Sequence, residues 1–162
     1  LYGNFKGDYS YTYGNRLREP VDQIQAIINA IVKCRSNRQL TMTIRVPEDV
    51  NNYEPPCLSI IDIEVLNNKV NMTTYFRSWD TYAGLPENIA GLYLLLEAIV
   101  NDVNEILISE GCPDEDLLET GEMIFHSKNA HIYKRQYVFV EELLKTKTSR
   151  LAEKLIDKEL KT

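Results

Sequence analysis

The sequence predicts an α+β fold. Apolar residues recur at helical spacing between Val21 and Val32 and again between Ile89 and Ile108. Between them, two β-like runs, Cys57 to Val65 and Lys69 to Phe76, are separated only by Leu66-Asn67-Asn68. The order of these elements suits α+β layers better than a regular βαβ alternation.

Leu1 to Arg18 is a Tyr-rich run punctuated by Gly3, Gly7 and Gly14, without helical or alternating periodicity, and reads as loop. Val21, Ile24, Ile27, Ile28, Ile31 and Val32 then predict a helix, with Pro20 placed where a helix can begin and an end near Cys34. Leu40 to Val46 mixes Thr with apolar residues as strands do, and Pro47 to Pro56 reads as a surface connection. The paired runs on either side of Asn67-Asn68 predict a hairpin, because asparagine tolerates the positive φ of a tight turn. Pro86-Glu87-Asn88 leads into the helix over Ile89 to Ile108, whose broad apolar face predicts burial on several sides. Beyond an acidic loop at Gly111 to Asp116, Met123-Ile124-Phe125 and His131-Ile132-Tyr133 read as strand pieces, and Glu141 to Leu160 as a charged amphipathic helix.

A chain of 162 residues with 44% hydrophobic and 26% charged residues suits one domain over 1–162. Its net charge of -6 argues against a broad surface for nucleic-acid phosphates. A small anion would need a local cluster, and Arg16, Arg38 and Arg77 are the cations that could converge. Three cysteines without a CxxC spacing and only two histidines indicate neither a disulfide framework nor a zinc site. The most apolar stretch, Ile89 to Val103, is interrupted by Glu97, Asn101 and Asp102 and falls short of the ~20 residues of a membrane span. With no visible signal peptide, a cytoplasmic location is expected. Because Leu1 is not methionine and the opening residues look like mid-loop sequence, the chain is expected to be a fragment lacking an N-terminal segment.

Arg77-Ser78-Trp79-Asp80, followed by Gly84, Pro86 and Asn88, gathers groups suited to an anion and a heterocycle. Arg77 can fork onto a phosphate and Ser78 can donate to the same oxyanion, or Arg77 can simply pair with a surface carboxylate. Asn88 can pair with the O4 and N3–H edge of a uracil, or cap the helix that follows it. Cys57, in Pro55-Pro56-Cys57, is a candidate nucleophile if nearby arginines favour its thiolate, and otherwise a buried structural cysteine. On a strand, His131 and Tyr133 point to one face and could share a sugar hydroxyl, or pack as half-buried core. Asp80 could orient a ligand ring or satisfy backbone donors.

In their order along the chain, Tyr13-Gly14, Asp22-Gln23-Ile24, Pro55-Pro56-Cys57, Arg77 to Asp80, Gly84 to Asn88, and His131 to Tyr133 resemble thymidylate synthase. The resemblance implies a mixed sheet flanked by helices, and reductive methylation of dUMP with methylenetetrahydrofolate as one-carbon and hydride donor. No metal is implied. By the same resemblance Cys57 adds to C6 of the uracil, and Arg77 and Ser78 hold the phosphate. Asn88 reads the base, His131 and Tyr133 bind the deoxyribose, Asp80 and Gly84 seat the folate, and Tyr13 assists proton removal from C5. A homodimer is implied, in which Arg38 reaches the phosphate bound by its partner.

Leu58, Asn37 and Asn129 depart from the usual family residues in ways that resemble the shorter archaeal branch. The family's catalytic Glu and an N-terminal phosphate-binding Arg precede the Tyr-Gly segment, and nothing upstream here matches them; nor does Glu159-Leu160-Lys161-Thr162 match the closing segment. Competing readings are a pyrimidine-nucleotide hydroxymethylase, a catalytically incomplete dUMP-binding protein, and an interaction module with relic motifs.

Overall fold

A computed structural model describes residues 11–146. Its main sheet has the order β1 (Thr41–Thr43), β2 (Leu58–Leu66), β3 (Lys69–Phe76), β5 (Glu119–Ser127), and a smaller sheet pairs β4 (Trp79–Asp80) with β6 (Ala130–His131). The helices are α1 (Tyr13–Arg18), α2 (Gln23–Lys33), α3 (Gly84–Ser109) and α4, over 137–146. The β1–β2 and β2–β3 pairings are antiparallel and β3–β5 is parallel, so the sheet is mixed and the fold is α+β.

The hairpin forms where the sequence predicts it. Leu66 pairs with Lys69, and Asn67 and Asn68 take φ of 53° and 58°, the two left-handed residues of a type I′ turn that matches the twist of the strands. Asn68 is anchored further: its Oδ1 accepts from Arg35 Nη1 at 3.0 Å. Alternation along the strands sends Ile61, Ile63, Val70, Met72 and Phe76 inward, where they meet Ile24, Ile28 and Ile31 of α2 and Leu96, Ile99 and Val103 of α3. Two carboxamides stitch helices to the strand layer by acting as backbone mimics. Gln23 exchanges bonds of 2.9 and 2.8 Å with the carbonyl and N–H of Thr43, and Asn104 exchanges bonds of 2.8 and 2.9 Å with those of Leu118.

Several boundaries differ from the sequence reading. The stretch read as loop up to Arg18 contains α1, which Thr12 caps by accepting the Asn15 N–H at 3.1 Å. Helix α2 starts at Gln23, after Pro20, because Asp22 accepts the Gln25 N–H and so supplies the cap. The strand over Leu40 to Val46 shrinks to Thr41–Thr43, since the N–H groups of Ile44 and Arg45 converge on one acceptor, the Ser59 carbonyl. Pro47–Asn51 is a 3₁₀ turn, not merely a surface connection, and Asp49 within it is fully buried. Helix α3 begins at Gly84, ahead of Ile89, and β5 extends well beyond Met123-Ile124-Phe125. Only His131 of the His131-Ile132-Tyr133 run is strand; Tyr133 caps a 3₁₀ turn over Lys134–Gln136. Helix α4 starts before Glu141, and both its continuation to Leu160 and the first ten residues of the opening loop lie outside the described residues.

A β-bulge interrupts the β3–β5 register between Val70 and Met72. There the Asn71 side chain accepts the Glu122 N–H at 2.8 Å and occupies the space that a Cβ on Gly121 would need, since that Cβ would come within 2.1 Å of Asn71 Oδ1. Beyond β3, Trp79 stacks on Phe76 with ring centroids 4.2 Å apart and planes 7° from parallel.

Candidate active site

The segment carrying Cys57 is held from both sides. The Arg77 N–H donates to the Cys57 carbonyl at 2.9 Å, which sets the end of β3 against the start of β2. The Arg77 guanidinium then folds back, Nε donating to the Pro56 carbonyl at 3.1 Å and Nη2 to the Pro55 carbonyl at 2.8 Å. Neither proline has an N–H, so this segment depends on its carbonyls for anchorage. With two of its five N–H groups so used, the guanidinium keeps donors for an anion. From the other side, the Tyr13 hydroxyl accepts the Leu58 N–H at 3.3 Å.

Tyr13 projects from the first turn of α1, and burial pushes its phenol above the usual value, outweighing the pull of the Leu58 N–H. Tyr11, stacked on Tyr13 with ring centroids 6.3 Å apart, is pushed up to about 12, by burial first and then by the neighbouring Tyr13 and Cys57. Helix α1 is itself braced by Arg16, which donates to Asp49 at 2.9 Å. Although burial opposes the charge on Asp49, the Val46 N–H, Asn52 and Arg16 hold its carboxyl below the usual range.

Ser78 Oγ lies 2.9 Å from His131 Nδ1, and the His131 and Tyr133 rings meet edge to face with centroids 4.9 Å apart. The β4–β6 pairing brings these groups together: Trp79 N–H donates to the Asn129 carbonyl at 2.8 Å and Thr81 N–H to the His131 carbonyl at 2.9 Å. Asp80 turns toward the start of α3, where Oδ1 accepts the Tyr82 and Ala83 N–H groups at 3.1 and 3.4 Å. Its Oδ2 accepts from Gln136 Nε2 at 3.1 Å. Burial raises the Asp80 carboxyl, but Gln136 and the two N–H groups outweigh it and leave the acid below its ordinary value. Gly84 follows without a side chain, and a Cβ there would come within 3.3 Å of Asp80 Cβ.

Asn88 lies within α3, one turn past its start, so it is no N-cap. With Tyr13, Leu58, Glu87 and Leu92 it lines a mostly apolar cavity of about 210 Å³. The fold thus brings Tyr13, Cys57 and Arg77 into one hydrogen-bonded cluster and Ser78, Asp80, His131 and Tyr133 into its neighbour. Arg38 joins neither. It is exposed in the loop before β1, and because Thr41 pairs with Asp62 it stands toward the opposite end of β2 from Cys57, on the order of 15–25 Å away at ~3.3 Å per strand residue. Sequence reasoning missed Gln136, the Arg16–Asp49 brace and the anchoring of Pro55 and Pro56. The Thr12 cap was a usable signal for α1, whereas Gln136 carries no motif. Among the described residues, no group of three or more His, Cys, Asp or Glu side chains is placed to hold a metal ion, and no helix is long and apolar enough to cross a membrane.

This fold and this ordered cluster define a family: the thymidylate synthase model matches residues 2–162, and the chain belongs to the thymidylate synthase family. A provisionally named thymidylate synthase of Methanothermobacter thermautotrophicus is 33% identical over 148 residues, covering 90% of this chain and 60% of the relative. One of Methanosarcina acetivorans is 33% identical over 142 residues, covering 85% and 59%. The crystal structure of thymidylate synthase from T4 phage superposes with a TM-score of 0.65 at 28% identity, over 81% of this chain and 42% of that one. The chain therefore spans about three-fifths of the length of the curated relatives it matches.

Proposed function

We propose that this chain is a thymidylate synthase domain that binds dUMP and methylenetetrahydrofolate and methylates the uracil at C5. The observation that carries the proposal is the double anchorage of the Cys57 segment, by the Arg77 guanidinium on the Pro55 and Pro56 carbonyls and by the Tyr13 hydroxyl on the Leu58 N–H, which supports a site where a thiol, a guanidinium with spare donors and a phenol act together. Arg77 and Ser78 take the phosphate through charge-assisted hydrogen bonds. The Cys57 sulfur forms a bond to C6, and the C5–C6 double-bond pair moves to C5 and O4, making C5 a nucleophile. Asn88 donates to O4 and accepts from N3–H, which supports that charge and selects uracil over cytosine.

Tyr13, kept protonated by burial, orders the path by which the C5 proton leaves and does not act as a phenolate. His131 and Tyr133 hold the deoxyribose hydroxyl. The residues present fit a reduced folate: Asp80 offers an oriented carboxylate to ring N–H donors, and Gly84 spares that carboxylate's stem the crowding of a Cβ. When bound, methylenetetrahydrofolate supplies the one-carbon unit and the hydride. We place the domain in the cytoplasm, as one unit over 1–162 and as a homodimer in which Arg38 serves the partner's phosphate site.

The test is the intact mass of the chain after incubation with the 5-fluoro analogue of dUMP and methylenetetrahydrofolate, followed by peptide mapping. A ternary adduct on Cys57, lost in Cys57→Ala with dUMP binding retained, is expected. Nucleotide binding without an adduct would replace this reading with a non-catalytic dUMP-binding one. Where turnover occurs, product mass distinguishes methyl from hydroxymethyl.

A further inference from the structure

Gln136 is a buried polar side chain that the functional reading leaves without a task. It is 8% exposed, and both ends of its carboxamide are engaged: Nε2 donates to Asp80 Oδ2 at 3.1 Å and Oε1 accepts the Tyr133 N–H at 3.0 Å. We infer that Gln136 is a positioning residue that ties the carboxylate of Asp80 to the Tyr133 segment, so that the folate and nucleotide subsites favour each other's occupancy; this rests on the function proposed above.

The geometry gives each bond a distinct effect. Backbone N–H groups of Tyr82 and Ala83 take one oxygen of Asp80, so the bond from Gln136 fixes the second oxygen and with it the plane of the carboxylate. The β4–β6 ladder ends at Asp80 and His131, and the Gln136 oxygen accepts the next available N–H on that side, that of Tyr133. The Tyr133 ring packs edge-on to His131, whose Nδ1 meets Ser78 Oγ. A rotation of the Asp80 carboxylate is thus passed through one carboxamide to the residues proposed to hold the sugar and phosphate. A carboxamide donates to a carboxylate and accepts from an amide while staying neutral, and the length of the glutamine stem lets it do both here. Glutamate in its place sets two carboxylates together, and leucine leaves both partners without their bond. Because coupling between two ligands is reciprocal, each should raise the other's affinity by the same factor.

The experiment uses Q136E and Q136L in the full chain. Calorimetry measures dUMP and methylenetetrahydrofolate binding, each alone and with the other saturating, and carbon-13 NMR follows the titration of the Asp80 carboxyl. Q136E keeps the acceptor for Tyr133, so dUMP affinity is expected to stay within about two-fold of wild type. Folate affinity should fall by about ten-fold or more, the scale of one hydrogen bond to a charged group. The Asp80 titration should move upward in both variants, and the mutual enhancement of the two ligands should disappear in Q136L. Unchanged coupling together with an unmoved Asp80 titration in Q136E, the isosteric variant, overturns the inference even if Q136L does not fold. If the wild-type chain binds neither ligand, the functional reading falls. The NMR titration then decides the Gln136 tie alone, an unmoved Asp80 overturning it.

Discussion

At the scale of single residues, the same side chain often serves both structure and site. Arg77 anchors the Pro55 and Pro56 carbonyls through two nitrogens, a fork that lysine cannot reproduce. Arg77→Lys should therefore weaken dUMP binding by about 10- to 100-fold in calorimetry, the range of a hydrogen bond or two to a charged group. Asp49 is the clearest acid-sensitive position. Its folded value lies below the unfolded value of about 3.9, so its stabilisation is fully present above that pH and is lost as pH falls through the depressed folded value. Asp49→Asn should cost about 1–3 kcal/mol at neutral pH and flatten the acid limb of stability in denaturant melts from about pH 6 to pH 2. Cys57, Arg77, Ser78 and Asp80 were legible in the sequence because motif order singled them out. Asp49 and Gln136 were not, since what defines them is a partner dozens of residues away, Arg16 in one case and Asp80 in the other.

At the scale of elements, local chemistry set what could be read. The hairpin was legible because Asn67-Asn68 supplies its own positive φ, and the two asparagines separate that effect from tertiary anchoring. Asn67→Gly should be neutral or slightly stabilising, whereas Asn68→Gly should cost about 0.5–1.5 kcal/mol through loss of the Arg35 bond, as chemical denaturation would show. The β5 bulge offers a sharper contrast. Gly121→Ala must expel the Asn71 side chain and should cost about 1–3 kcal/mol. Combined with Asn71→Ala, its effect should be much less than additive, because both changes remove the same bond to the Glu122 N–H. Nothing in the periodicity of Met123-Ile124-Phe125 announces this bulge. Helix α1 escaped the apolar pattern for a related reason: it is only six residues long and buries only Leu17.

At the scale of the molecule, the helices cover one face of the sheet and leave Ile60, Tyr75 and Ile124 exposed on the other. Ile60 stands opposite Tyr75, and Tyr75 opposite His126, so these side chains form a continuous strip across β2, β3 and β5. If that strip is the proposed homodimer surface, Tyr75→Lys should shift the chain toward monomer in sedimentation. It should also weaken dUMP binding without touching the pocket, because Arg38 would lose its partner's phosphate. An exposed sheet face could not be read from composition, since it is a property of topology. The stack of Trp79 on Phe76 has a practical consequence. Trp79 is the only tryptophan in the chain, is 6% exposed and immediately precedes Asp80, so its fluorescence is a built-in, label-free optical gauge of that neighbourhood. Its emission maximum should be blue-shifted in the folded chain, and ligand titrations can be followed by eye of the detector alone, with no dye, isotope or tag.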